Sequence, residues 1–263
     1  MNIKDISTQL MYTTVPVYTI NEDGSKSVGT GFFYSIDQNE NETIPLLITN
    51  HHVVEHAKEG FIEMHIAEKD KPTNKSIQVR FDSSIKNNKL GNLDLVAIPF
   101  AAVLSTLSNQ GFTLFYRTIS PEMIPSEKEM NDLAAIEEIT FIGYPNGLYD
   151  EVNKMSIVRQ GITATPIWNN FKGKDIFLVD AGVFPGSSGS PVFIYNRGSF
   201  PTIDGIAIGN RLLFVGVLAE TVLSKNKDNK EDYLDLGVAI NSKAIKNEIE
   251  EFVLNLKKRQ HNG

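Results

Sequence analysis

The sequence predicts an all-β protein built as two successive groups of short strands and closed by a C-terminal helix. Three observations carry that expectation. Apolar residues recur with the two-residue alternation of half-buried strands, as in Phe61-Ile62-Glu63-Met64-His65-Ile66-Ala67 and Ser76-Ile77-Gln78-Val79-Arg80-Phe81. Short polar turns, rather than long helical stretches, separate these runs. The pattern lapses between Ala101 and Ala135, where Ser120-Pro121 and Ile124-Pro125 mark a connection, and then resumes. Two small barrels or sandwiches suit such a layout.

In chain order, Thr14 to Ile20 reads as a strand, Asn21 to Ser25 as a turn, and Gly29 to Ile36 and Ile44 to Thr49 as two further strands. The third strand runs into Thr49-Asn50-His51-His52-Val53-Val54-Glu55-His56-Ala57, whose second half has helical spacing and stops at Gly60. Leu93 to Pro99 is expected as another strand, with the Asp94 carboxylate among apolar neighbours. A carboxylate so placed needs a partner, because burying an unpaired charge costs several kcal/mol. Ser126 to Ala135 forms a short helix in this reading, and strands resume at Glu138 to Pro145, Ser156 to Ala164 and Asp175 to Asp180. Three more follow at Pro191 to Tyr195, Leu212 to Ala219 and Leu236 to Ile240. From Ser242 to Lys258, apolar residues at Ile245, Ile249, Phe252, Val253 and Leu256 share one helical face, and Lys257-Lys258-Arg259 places positive charge where the helix dipole favours it.

Composition narrows the function classes. The 263-residue chain is large enough for a sizeable core, and its formal charge of −7, without a polybasic face, argues against nucleic acid as a partner. It contains no cysteine, so thiol nucleophiles, disulfides and thiolate metal sites are excluded. The N-terminus lacks a sustained apolar segment and no later run approaches a membrane span, so a cytoplasmic location without membrane association is expected. Phosphate-binding glycine loops, heptads and solenoid repeats are not found. No cofactor or metal is expected.

The chemistry centres on Phe184-Pro185-Gly186-Ser187-Ser188-Gly189-Ser190-Pro191-Val192-Phe193, a small-residue turn that ends in an apolar strand. Two glycines around a pair of serines let the backbone turn sharply and bring N–H groups close to a substrate carbonyl. A serine hydroxyl attacks at neutral pH only when a base takes its proton, and an imidazole does so best when an acid fixes its tautomer. His52, Asp94 and Ser188 supply one candidate for each role, in that chain order.

These segments resemble the trypsin-like (chymotrypsin-fold) serine peptidases, above all the disulfide-free bacterial branch that includes the high-temperature-requirement proteases. Thr49-Asn50-His51-His52-Val53-Val54 is similar to that family's histidine motif, and counting three from the threonine selects His52 rather than His51. Asp94-Leu95-Val96-Ala97-Ile98 resembles its aspartate segment, and Gly186-Ser187-Ser188-Gly189-Ser190-Pro191 its Gly-x-Ser-Gly-x-Pro segment. Weaker echoes stand at Gly29-Thr30-Gly31-Phe32, Ile142-Gly143-Tyr144-Pro145, Gln160-Gly161-Ile162 and Gly237-Val238-Ala239-Ile240. The resemblance implies two six-stranded antiparallel β-barrels with the active site between them and a C-terminal helix, within a single peptidase domain. Its parts would be an N-terminal barrel over about 12–118, a linker over 119–137, a second barrel over 138–241 and the helix over 242–263, with no PDZ domain. It also implies a serine endopeptidase working on protein or peptide substrates through an acyl-enzyme, with the oxyanion hole at the backbone N–H groups of Gly186 and Ser188.

Two departures from the family pattern shape the expectations. Ser187 stands where zymogen-activated members carry an aspartate, which argues against activation by a newly cut N-terminus. Gly182 stands where trypsin-type members carry an acid, so an uncharged P1 residue is expected, with Gly182, Val183, Phe184, Leu218 and Ala219 as candidate walls and Glu220 as an opposing charge. A regulatory ligand or protein partner is expected to restrain the enzyme. Two rivals stand beside this reading. One is a catalytically silent scaffold of the same fold; the other is a zinc peptidase using His52-Val53-Val54-Glu55-His56, which has the H-x-x-E-H form.

Overall fold

The computed structural model describes residues 2–39, 42–225 and 231–261. After a short helix, α1 (Ile6–Leu10), come the strands β1 (Thr14–Asn21), β2 (Lys26–Asn39) and β3 (Glu42–Thr49). The one-turn helix α2 (His51–Val54) leads to β4 (Ala57–Glu68), β5 (Lys71–Asp82) and β6 (Val96–Pro99), and α3 (Ala101–Asn109) precedes β7 (Leu114–Phe115). The helix α4 (Glu127–Asp132) lies in the connection. It is held by a capping box in which the Ser126 and Glu129 side chains each accept the other residue's backbone N–H. The second half contains β8 (Glu138–Gly143), β9 (Ile157–Thr163), β10 (Ile176–Asp180), β11 (Pro191–Asn196), the hairpin β12 (Ser199–Thr202) and β13 (Gly205–Ile208), then β14 (Arg211–Lys225) and β15 (Glu231–Asn241). The last element is α5 (Ser242–His261), which runs three residues past the expected helical face at Lys258, with 262 and 263 outside the described residues.

The second half is a closed six-stranded antiparallel barrel in the order β10-β15-β14-β11-β8-β9. The first half departs from the expected six-stranded barrel. It is a seven-stranded antiparallel sheet in the order β5-β4-β1-β2-β3-β6, with β7 paired to β4, and among the described residues no ladder joins β5 to β6. The reason is local. Asp82 ends β5 by capping a single 3-10 turn over Ser83–Asn87, its carboxylate accepting the Ser84 N–H, so the strand cannot run on along β6. Among the described residues only the isolated bridge between Lys89 and Val96 touches the outer edge of β6, which is four residues long and ends at Pro99.

The two halves share one apolar core. Phe32, Tyr34, Leu46 and Ile48 of the first sheet pack in one cluster with Phe193, Phe214, Val217 and Ile240 of the barrel. Ile245, Ile249 and Val253 of α5 enter the same cluster and are buried, as their helical spacing requires. Each such side chain contributes about 1.5–3 kcal/mol of transfer free energy, so the seam is held by apolar burial from three directions. Among the described residues no helix is long and apolar enough to cross a membrane.

Candidate active site

Strand register brings His52 and Asp94 together. In the β3–β6 pair, Thr49 faces Val96, so the residues that follow Thr49 continue alongside those that precede Val96. The His51 N–H and the Asn50 side-chain amide both donate to the Asp94 carbonyl, at 3.1 and 2.8 Å. The Asp94 carboxylate then accepts from the His52 backbone N–H at 3.0 Å and lies 2.6 Å from ring Nδ1. A carboxylate can only accept, so Nδ1 carries the proton and Nε2 is left as the basic nitrogen.

Asp94 sits in the turn before β6, not within a strand as the sequence pattern suggested, and it is partly exposed. The turn residues Leu90 and Leu95 are tied by a backbone hydrogen bond of 2.9 Å, which consumes the segment's bonding before the ladder begins. His52 likewise lies past the end of β3, on α2. Burial pulls the His52 pKa down, but the Asp94 hydrogen bond and charge, with Glu220 and Glu55 adding to them, outweigh it, and the net shift is upward.

A second register places Ser188. Pro191 of β11 faces Val217 of β14, and the pairing continues past the strand end: Leu218 N–H donates to the Ser190 carbonyl at 2.9 Å, and Gly189 N–H to the Leu218 carbonyl at 2.8 Å. At Ala219 the β14–β15 register shifts, leaving that residue bulged between Leu218 and Glu220. The Ser188 hydroxyl donates to the Ala219 carbonyl at 3.0 Å. Among the described residues Ser188 and His52 are not joined by a hydrogen bond; the Ala219-Glu220 segment is their common neighbour, holding the hydroxyl of one and acting on the charge of the other.

The nucleophile turn is two tight turns in succession. Ser187 N–H donates to the Phe184 carbonyl and Ser190 N–H to the Ser187 carbonyl, each at 3.0 Å. Gly186 and Gly189 take the left-handed position of each turn, at φ +86° and +89°, which no side chain tolerates cheaply. Asn146 N–H donates to the Pro185 carbonyl at 2.6 Å. Because C=O and N–H of one peptide unit point in opposite directions, that bond aims the Gly186 N–H away from Asn146, and the Ser190 bond aims the Ser188 N–H away in the same manner. Among the described residues neither the Gly186 nor the Ser188 N–H donates to a protein atom.

The five candidate wall residues and Glu220 separate into two groups. Val183, Leu218 and Ala219 are buried, the first two within the barrel core. Gly182, Phe184 and Glu220 reach the surface. The Arg159 guanidinium donates to the Gly182 carbonyl at 2.6 Å and stacks 4.8 Å from the Phe184 ring. Sequence reasoning missed Asn146 and Arg159, and it did not find the Ala219 carbonyl as the acceptor for Ser188; bonds to backbone carbonyls leave no signature in residue type.

The zinc arrangement has no frame to rest on. The helix carrying His52 ends at Val54, so Glu55 and His56 lie beyond it, and the His52 ring nitrogen nearest the chain is taken by Asp94. His56 is largely exposed and pairs with Glu55 at 3.4 Å. Among the described residues no group of three or more His, Asp or Glu side chains is arranged to hold a metal ion.

Comparison with solved structures gives an HtrA-type protease, a point variant of AlgW with tripeptide, at TM-score 0.52 and 15% identity, covering 96% of this chain and 64% of that one. The chain thus spans less than two thirds of that protein's length, and at such identity the likeness is one of fold. AlgW itself with tripeptide aligns at TM-score 0.49 and 17% identity, covering 91% of this chain and 60% of that one. A protease from M. tuberculosis in its active form aligns at TM-score 0.46 and 13% identity, covering 92% and 82%. No curated protein matches the sequence. The trypsin-like peptidase domain matches residues 29–200, a stretch that holds His52, Asp94 and the serine turn on both sides of the shared core. By that match the chain belongs to the trypsin-like peptidase domain family.

Proposed function

We propose that this chain is a serine endopeptidase that hydrolyses peptide bonds in protein substrates through Ser188, His52 and Asp94, with both halves and the C-terminal helix forming a single peptidase domain. The observation that carries the proposal is the juxtaposition of a carboxylate-oriented imidazole with a turn that presents two unspent backbone N–H groups beside a serine. In the reaction, Ser188 rotates from the Ala219 carbonyl to His52 Nε2, which takes its proton as Oγ attacks the scissile carbonyl. The developing oxyanion is received by the Gly186 and Ser188 N–H groups. His52 returns the proton to the leaving amine, and water repeats the sequence on the acyl-enzyme.

The resting Ser188 contact supports gating by a ligand or partner, since a group that competes for the Ala219 carbonyl would release the hydroxyl to His52. The environment of Gly182 supports an uncharged P1 residue: a Cβ there would meet the Arg159 guanidinium at 3.5 Å and the Asp235 carboxylate at 3.9 Å, so the two opposite charges beside it offset one another. The test is covalent labelling by a fluorophosphonate, with the modified residue located by mass spectrometry. Modification at Ser188, lost in Ser188→Ala and in His52→Ala, is the expected result. Casein cleavage that survives Ser188→Ala would sink the proposal.

A further inference from the structure

Thr30, on β2 of the first sheet, is fully buried and reaches the nucleophile turn with two different groups. Its backbone N–H donates to the Ser188 carbonyl at 2.8 Å, and its hydroxyl donates to the Gly186 carbonyl at 2.9 Å. The direction of the hydroxyl proton is fixed by its neighbours. The Thr30 Oγ1 accepts the Tyr144 N–H at 3.1 Å and faces the Ser190 hydroxyl at 3.4 Å, while the Gly186 carbonyl can only accept. The Thr30 carbonyl in turn accepts the Thr49 hydroxyl at 2.8 Å, at the end of the strand that leads to His52. One residue of the first sheet therefore holds the carbonyls of the two residues whose own N–H groups have no acceptor among the described residues, and is itself held by the last residue of the strand that leads to the base.

We propose that Thr30 is the positioning residue of the oxyanion hole, acting through Gly186 and Ser188; the proposal rests on the serine-peptidase reading. The peptide unit before Gly186 is fixed by Asn146 at the Pro185 carbonyl, and the unit after it is fixed by the Thr30 hydroxyl. Gly186, the most rotatable residue of the turn, lies between these two clamps. Without the hydroxyl the second clamp opens, the Gly186 carbonyl loses its donor inside a closed site, and the turn can rotate its N–H away from the developing charge.

The experiment compares the full chain with Thr30→Ala, Thr30→Val and Thr30→Ser. Active sites are first titrated with a fluorophosphonate, so that kcat is expressed per competent site and misfolded protein is not counted. Thr30→Ala and Thr30→Val should lower per-site kcat on a fluorogenic peptide by about a hundredfold, with KM within about threefold. Affinity for a peptidyl trifluoromethyl ketone, whose hemiketal oxyanion enters the hole, should fall in parallel, and Thr30→Ser should restore both. A per-site kcat for Thr30→Ala within about twofold of wild type would overturn the inference, as would Thr30→Ser being as impaired as Thr30→Ala. The Gly186 and Ser188 amide protons, followed by NMR, give a readout that needs no turnover. In Thr30→Ala both should shift and exchange faster; unchanged amides would overturn the positioning role. If wild type shows no Ser188-dependent turnover, the peptidase reading has failed and the amides alone decide for Thr30.

Discussion

Asp94 grips His52 at two points: one carboxylate oxygen lies 2.6 Å from ring Nδ1, and the other accepts the His52 main-chain N–H at 3.0 Å. The ring and the start of its short helix are thereby fixed to the same carboxylate, so the imidazole has no independent freedom to turn. Asn50, the N-cap residue of α2, makes no side-chain cap bond, and the Asp94 carboxylate accepts the His52 N–H in its place. Asp94 therefore selects the tautomer, orients the ring and satisfies the helix end together.

The first expectation concerns pH. With its pKa raised above the ordinary 6.5, His52 stays protonated, and useless as a base, to a higher pH than a free imidazole would. The acid limb of kcat/KM should accordingly have its midpoint above 6.5. Stability runs the other way. A raised folded-state pKa contributes stability that is fully present below about pH 6.5 and is lost as pH rises through the folded value, so activity should climb where this contribution fades. A pH–rate profile and pH-dependent denaturation measure the two; an acid limb centred below 6.5 would contradict the assignment of His52 as the base.

Replacing the acid tests its role directly. Asp94→Asn removes the charge and the hydrogen-bond acceptor that raise the His52 pKa, and leaves the burial that lowers it. The His52 NMR titration in this variant should move from above 6.5 to below it, and kcat should fall by about 10⁴, since the amide supports the wrong tautomer. A large loss of kcat with an unmoved His52 titration would point to collapse of α2 instead.

Much of this site could be read in the sequence, and the reason is physical. His52 and Asp94, singled out by residue type, do meet in the structure, and the glycines at 186 and 189 take φ values that disfavour other residues. Ile245, Ile249 and Val253 were legible from helical spacing alone, which places them on the buried face. What could not be read was set by backbone contacts between distant segments. The Asn146 bond to Pro185 joins the turn after β8 to the serine turn, and the Ser188 bond to Ala219 falls at a register shift in β14. The open edge of the first sheet was likewise hidden, because one capping carboxylate at Asp82 and one 3-10 turn decide it. The placement of Asp94 in a strand failed for the same reason, as apolar neighbours mark burial but not ladder pairing.

Gly186→Ala should separate folding from chemistry. A Cβ there would lie 2.5 Å from the Tyr144 carbonyl and 2.9 Å from the Asn146 nitrogen, both backbone atoms that cannot step aside. The φ of +86° adds backbone strain, so a loss of about 1–3 kcal/mol in chemical denaturation is expected. Displacement of the N–H should also lower kcat by about 10²–10³, measured per titrated active site. Wild-type kcat at each titrated site would remove the Gly186 N–H from the oxyanion hole.

The C-terminal helix should matter for stability far from the chemistry. Ile249 has no solvent exposure and packs in the cluster that joins the two halves. Ile249→Ala should cost about 2–5 kcal/mol in urea denaturation through lost transfer energy and the cavity left behind. The His52 titration should be unchanged while the protein remains folded. A cost below about 1 kcal/mol would mean that α5 detaches without disturbing the shared core.

Glu220 is the residue on which the specificity expectation turns. It is exposed, follows the bulged Ala219 that holds Ser188, and its charge helps to raise the His52 pKa. If it acts only through that field, Glu220→Gln should move the acid limb of kcat/KM down and leave the P1 profile of a peptide library unchanged. If instead it reaches a substrate cation, the wild type should cleave after Lys or Arg and Glu220→Gln should abolish that cleavage. The environment of Gly182 favours the first outcome: Arg159 donates to its carbonyl at 2.6 Å, and its guanidinium offsets the nearby Asp235 carboxylate, so a cationic P1 side chain meets no unopposed acid there. A library profile led by apolar P1 residues in both proteins, with only the pH limb displaced, is the expected result, and P1 Lys or Arg dominance in the wild type would refute it.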